Sequence, residues 1–85
     1  MTIAEKFEDA QRRVKELKSA PDTDKLLELY ALFKQGTTGD ATGSRPGMMD
    51  FKGRAKWDAW VSKKGTTKDA AMEAYVALVD RLTGA

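Results

Sequence analysis

GTTGDATGSRPGMMD, residues 36–50, decides how the rest of this chain is arranged. Four Gly, one Pro and a run of small polar side chains make it a loop. It is long for a compact domain, and loops of that length are often functional. Fully extended it reaches roughly 50 Å. The helix expected before it, about Asp24 to Gln35, spans only about 20 Å. The loop therefore has the length to run back along a bundle and start the next helix at the same end as the last. Two parallel neighbours joined by a long crossover would result. A simple up-and-down bundle with a slack loop is the alternative. Within the loop, one of the Met48–Met49 pair is expected to be buried as an anchor.

Working outward, Leu26, Leu29, Tyr30 and Phe33 form one stripe of the preceding helix, flanked by Leu27 and Lys34. Pro21 interrupts the chain before it, and Asp22 or Thr23 supplies an N-cap. Gly36 and Gly39 weaken its end. Further upstream Ile3, Phe7, Ala10, Val14 and Leu17 alternate steps of four and three, which predicts a helix over Ile3–Lys18. Thr2 and Glu5 have capping-box spacing. Downstream of the loop, Asp50 caps a helix expected over Phe51–Lys63, and Gly65 ends it. Thr66 and Asp69 repeat the capping-box spacing. A last helix follows, with Ala71, Tyr75, Leu78 and Leu82 as its stripe. The expectation is an all-α four-helix bundle in one domain, residues 1–85.

Composition removes several classes of function. The chain has no Cys and no His. Disulfides and ordinary zinc sites are excluded, as are Cys nucleophiles and His general bases. Ser19, Ser44 and Ser62 lack a His partner. No glycine pattern of a P-loop or dinucleotide fold is present. We expect no catalytic residue, no metal ligand and no cofactor. The N-terminal MTIAEKFEDA has no basic segment leading into an apolar run, and no apolar stretch approaches a bilayer span, so a cytoplasmic protein without membrane insertion is expected.

Net charge is only +2, but its placement is uneven. Residues 35–65 carry six basic against three acidic side chains, whereas residues 1–34 carry seven of each. That excess attracts an anion, or is simply a solvated helix face. Tyr30 and Lys34 are four apart on one helix, with Phe33 beside them; Lys52 and Lys56 are four apart on the next, near Trp57 and Trp60. Ammonium groups, a phenol and aromatic rings suit a phosphorylated nucleotide. The plainer alternative makes Tyr30, Phe33 and at least one Trp ordinary core. Residue patterns alone stop at a helical bundle with an anion-plus-apolar site.

The segments LELYALFKQGTTGD, 27–40, and RPGMMDFKGRAKWDAW, 45–60, go further. Together they resemble the acyl-CoA-binding protein family. Tyr30, Phe33, Lys34 and Gln35 match its Tyr-x-x-aromatic-Lys-Gln core. Arg45–Met48, Asp50–Gly53 and Lys56–Trp60 match its crossover and third helix. Phe7, Val14, Leu17 and Pro21 align upstream, and Ala71, Met72, Ala74 and Tyr75 downstream. The resemblance implies an up-down-down-up bundle that carries medium- to long-chain fatty acyl-CoA without reacting with it. It implies Lys34 at the ribose 3′-phosphate, with Tyr30 and Lys56 assisting, and Phe33 against the adenine. Lys15 matches a further basic position, Lys52 one at the coenzyme, and Tyr75 one that closes the site. Ala31 and Leu32 lie within the binding segment; Leu26 and Leu27 match acyl-chain positions, and Ala10 a small position at the ligand's edge. It also implies a monomer that meets acyl-CoA-using enzymes transiently and takes no nucleic acid. Phe33 lacks the hydroxyl many members carry there, and Gly36 replaces a usual Ala or Ser. A partner-protein or nucleic-acid module, motivated by Lys52, Arg54 and Lys56, and an acyl-CoA hydrolase are the competing classes.

Overall fold

In a computed structural model, which describes residues 1–84, the chain forms α1 (Ile3–Lys15), α2 (Thr23–Thr37), α3 (Phe51–Val61) and α4 (Lys68–Thr83). Each start is capped by the side chain just before it. Thr2 and Glu5 complete a reciprocal capping box on α1. Asp22 accepts the Lys25 N–H at 3.0 Å, and Asp50 accepts the Gly53 N–H at 2.9 Å. A Cβ at position 53 would meet that Asp50 carboxylate and force it to shift. None of the described helices is long and apolar enough to cross a membrane.

Contacts fix the directions. Phe7 meets Tyr75, while Arg13 reaches Asp80 and Thr83, so contacts climb α1 and α4 together and these helices are parallel. Lys56 lies over Tyr30 and Lys34 over Trp60, so α2 and α3 are parallel as well. Gly36, late in α2, faces Met72, early in α4. The order is up-down-down-up. The crossover is pinned, not slack. Trp60 Nε1–H donates to the Gly39 carbonyl at 2.8 Å, at the far end of α3. Arg45 grips Asp58 with two hydrogen bonds, 3.0 and 2.6 Å. The chain then returns to Asp50 at the start of α3.

The core joins three helices: Phe7 and Ala10 of α1, Leu29 and Leu32 of α2, Tyr75, Leu78 and Val79 of α4. Among the described residues α3 packs on α2 alone, and its Trp60 is buried. One polar side chain among the described residues, Gln35, is fully buried. Its amide donates to Asp40 Oδ1 and to the Thr66 carbonyl, both at 2.8 Å, tying the end of α2 to the crossover and to the α3–α4 turn.

Several boundaries differ from expectation, each for a local reason. α1 stops at Lys15 and not Lys18, because the Glu16 and Leu17 N–H groups turn back to Arg13 and Val14. α3 stops at Val61 and not Lys63, where Lys63 and Lys64 bond to Trp60 and Val61 in a tighter turn. The α4 cap is Thr67, not Thr66; its hydroxyl takes the Ala70 N–H at 3.1 Å. Thr66 is committed elsewhere, its N–H to Lys63 and its carbonyl to Gln35. Met48 and Met49 are both exposed, 79% and 86%, contrary to the expected anchor. Trp60 and Arg45 do the anchoring instead.

α2 runs through Gly36 to Thr37, beyond the expected end at Gln35. A Cβ there would come 3.2 Å from Met72 Cγ and 3.4 Å from Phe7 Cζ. Ala would gain about 1 kcal/mol of helix propensity but crowd a flexible Met. Urea unfolding of Gly36→Ala is therefore expected within about 1 kcal/mol of the parent. Gly36→Val, which must displace Phe7 too, is expected to lose about 2 kcal/mol or more.

Asp40 links fold to pH. The Gly65 N–H, then the Gln35 amide and nearby Lys64, hold its carboxyl below the ordinary value of 3.8. A carboxylate whose folded pKa is depressed stabilises fully above its unfolded pKa and loses that contribution as pH falls through the folded value. Asp40→Asn is expected to flatten the acid limb of a stability-against-pH curve below about pH 4. An unchanged limb would mean that other carboxylates govern it.

Candidate functional site

Between α2 and α3 lies a groove of about 380 Å³. Its α2 wall is Thr23, Leu26, Leu27 and Tyr30; its α3 wall is Lys52, Ala55 and Lys56. Steps of three and four put each set on one helix face, and the parallel packing turns the faces toward each other. Leu26, Leu27 and Ala55 make an apolar lining, rimmed by a phenol and two ammonium groups.

Above it the two helices exchange cations. The Lys56 ammonium sits 5.4 Å from the centre of the Tyr30 ring, and the Lys34 ammonium 4.8 Å from that of Trp60. Among the described residues Lys34, Lys52 and Lys56 have no carboxylate partner, whereas neighbouring Lys63 pairs with Glu28 at 2.8 Å and Arg45 with Asp58. Three positive charges near one groove, unneutralised within the protein, favour an anion. Apolar lining beside them favours an anion that carries a hydrocarbon chain.

The expected site residues do not all converge on this groove. Leu26, Leu27, Tyr30, Lys52 and Lys56 line it, and Lys34 stands one turn further along α2. Phe33 instead lines a neighbouring groove with Phe7, Gln11, Lys68 and Met72, its ring 6.0 Å from that of Phe7. Ala10, Ala31, Leu32 and Tyr75 are buried, at 0%, 0%, 4% and 5% exposure. Tyr75 packs edge-on against Phe7 at 5.0 Å, and burial raises its phenol pKa, so it stays neutral. Lys15 is exposed in the last turn of α1 and lines neither groove. Thr23, Ala55 and Gln11 are not among the site residues expected from the sequence. For Ala55 the signal was there: a small residue three positions from Lys52 keeps the groove open.

Comparison with known proteins gives one consistent result. The family described as "Acyl CoA binding protein" matches residues 4–79. "Acyl-CoA-binding protein homolog 1" of Caenorhabditis elegans is 62% identical over 82 residues, covering 96% of this chain and 93% of that relative. "Acyl-CoA-binding protein homolog" of Manduca sexta is 51% identical over 83 residues, 96% of this chain and 92% of its own. The crystal structure of Oryza sativa Acyl-CoA-Binding Protein 2 superposes with a TM-score of 0.93 at 37% identity, covering 98% of this chain and 92% of that one.

Proposed function

The chain belongs to the acyl-CoA-binding protein family, and we propose that it binds medium- to long-chain fatty acyl-CoA thioesters non-covalently. In this reading it is a cytoplasmic, monomeric carrier and buffer pool that meets acyl-CoA-using enzymes transiently. The observation that carries the proposal is the α2–α3 groove, apolar within and flanked by three ammonium groups without carboxylate partners.

Each residue then has a task. Leu26 and Leu27 shelter the first part of the acyl chain. Lys34, the Tyr30 hydroxyl and Lys56 hold the ribose 3′-phosphate, and Lys52 the coenzyme's remaining phosphates. Phe33 lies against the adenine and Lys15 adds distant positive charge. Ala31 and Leu32 keep the α2 backbone in place, and Ala10 and Tyr75 support it from α1 and α4. No side chain attacks the thioester. The phosphate interactions orient the ligand and weaken with salt.

The acyl chain supplies the graded part of the affinity. Each buried CH₂ is worth up to about 0.8 kcal/mol. Titration with octanoyl-, dodecanoyl- and hexadecanoyl-CoA is expected to show affinity rising by up to about fourfold per CH₂ until the groove is filled. Equal affinity for the shortest and the longest would rule out the groove as an acyl site.

A further inference from the structure

We infer that Trp60 is the positioning residue for Lys34, its indole face holding the ammonium where the ligand's 3′-phosphate arrives. The inference rests on the phosphate role proposed for Lys34 and assigns to Trp60 a part in ligand selection beyond core packing.

Lys34 lies in the last turn of α2, and its side chain is flexible and only partly buried. Left to itself, such a side chain samples many rotamers, and ordering it on binding costs affinity. Here its ammonium rests 4.8 Å from the centre of the Trp60 ring, within cation–π range. The ring is itself held on several sides. Trp60 is 8% exposed, its Nε1–H is tied to the Gly39 carbonyl at 2.8 Å, and Trp57 packs edge-on against it at 6.0 Å. Among the described residues no carboxylate competes for this ammonium, so its face turned from the indole is left for an anion. Tyr30 treats Lys56 in the same way from the opposite helix, at 5.4 Å. The seam thus presents two cations, each pre-set by an aromatic ring on the other helix.

The test compares palmitoyl-CoA with its 3′-dephospho analogue, both titrated against the same variants. The ratio of the two affinities reports on phosphate recognition, and a general loss of stability cancels from it. Trp60→Leu is expected to lower that ratio roughly five- to tenfold. Trp60→Phe, which keeps a ring and loses the Gly39 hydrogen bond, is expected to retain most of the ratio; Trp60→Met, which keeps bulk without a ring and is expected to lower the ratio as Trp60→Leu does, replaces Trp60→Leu if that variant does not fold. Lys34→Ala combined with Trp60→Leu is expected to show the same ratio as Lys34→Ala alone. An unchanged ratio in Trp60→Leu, or additive effects in the double variant, would overturn the inference. Equal binding of both ligands by the parent chain would instead overturn the phosphate role beneath it, before any variant is needed.

Discussion

Phe7→Ala is expected to cost about 3–5 kcal/mol, enough to leave much of the protein unfolded at room temperature. Phe7 is where α1, α2 and α4 meet. It is 5% exposed, sits edge-on to Tyr75 at 5.0 Å and 6.0 Å from Phe33, and fills the space beside Gly36. Truncation leaves a cavity that the surroundings fill only in part, because Gly36 has no side chain to offer and Tyr75 is hemmed in by the core. Small domains have little stability to spare. With no cysteine the chain has no disulfide to compensate. Urea or thermal unfolding followed by helical circular dichroism measures the loss; a change below about 1 kcal/mol would mean that the three helices are held elsewhere.

Lys34→Ala is expected to weaken binding of an acyl-CoA about tenfold to a hundredfold, the range for losing a charge-assisted hydrogen bond. Its effect on a ligand lacking the 3′-phosphate is expected to be small. The asymmetry follows from the geometry. The ammonium has no carboxylate partner among the described residues, so removing it strands no buried acid and disturbs only the Trp60 face. Folding stability should barely change, which separates this variant from Phe7→Ala. Equal losses for the two ligands would show that Lys34 supports the groove generally without recognising the phosphate.

Much of the architecture could be read from residue order. Thr2, Asp22 and Asp50 announce helix starts because their side chains satisfy N–H groups only a few residues away. The parallel α2–α3 pair follows from the length of residues 36–50 set against the length of a helix. What escaped depended on residues distant in sequence. Thr66, with Asp69 at capping-box spacing, reads as the cap until Gln35, from another helix, is seen to claim its carbonyl while Thr67 takes the Ala70 N–H. Gly36 looks like a helix breaker until Phe7 and Met72 are seen to occupy the room a side chain would need. Gln35 gives no sign in a helical pattern that it is the buried polar tie between α2, the crossover and the α3–α4 turn.

The candidate site divides along the same line. Spacing brings Tyr30 beside Leu26 and Leu27, and Lys52 beside Lys56, because those relations lie within one helix. The pairing of Lys34 with Trp60 and of Lys56 with Tyr30 crosses between helices and needs the register of the packed bundle. Phe33 lines a different groove from Leu26 although seven residues place both on one face of α2; the difference lies two turns along the helix, where Phe33 meets residues of α1 and α4 and not of α3.

Calorimetric titration with palmitoyl-CoA, beside free coenzyme A and palmitate, tests the central claim most directly. The proposed site couples an apolar groove to a set of cations, so the thioester is predicted to bind one-to-one and far more tightly than either half alone. Absence of heat and of displacement with palmitoyl-CoA, or equal binding of free coenzyme A, would contradict it.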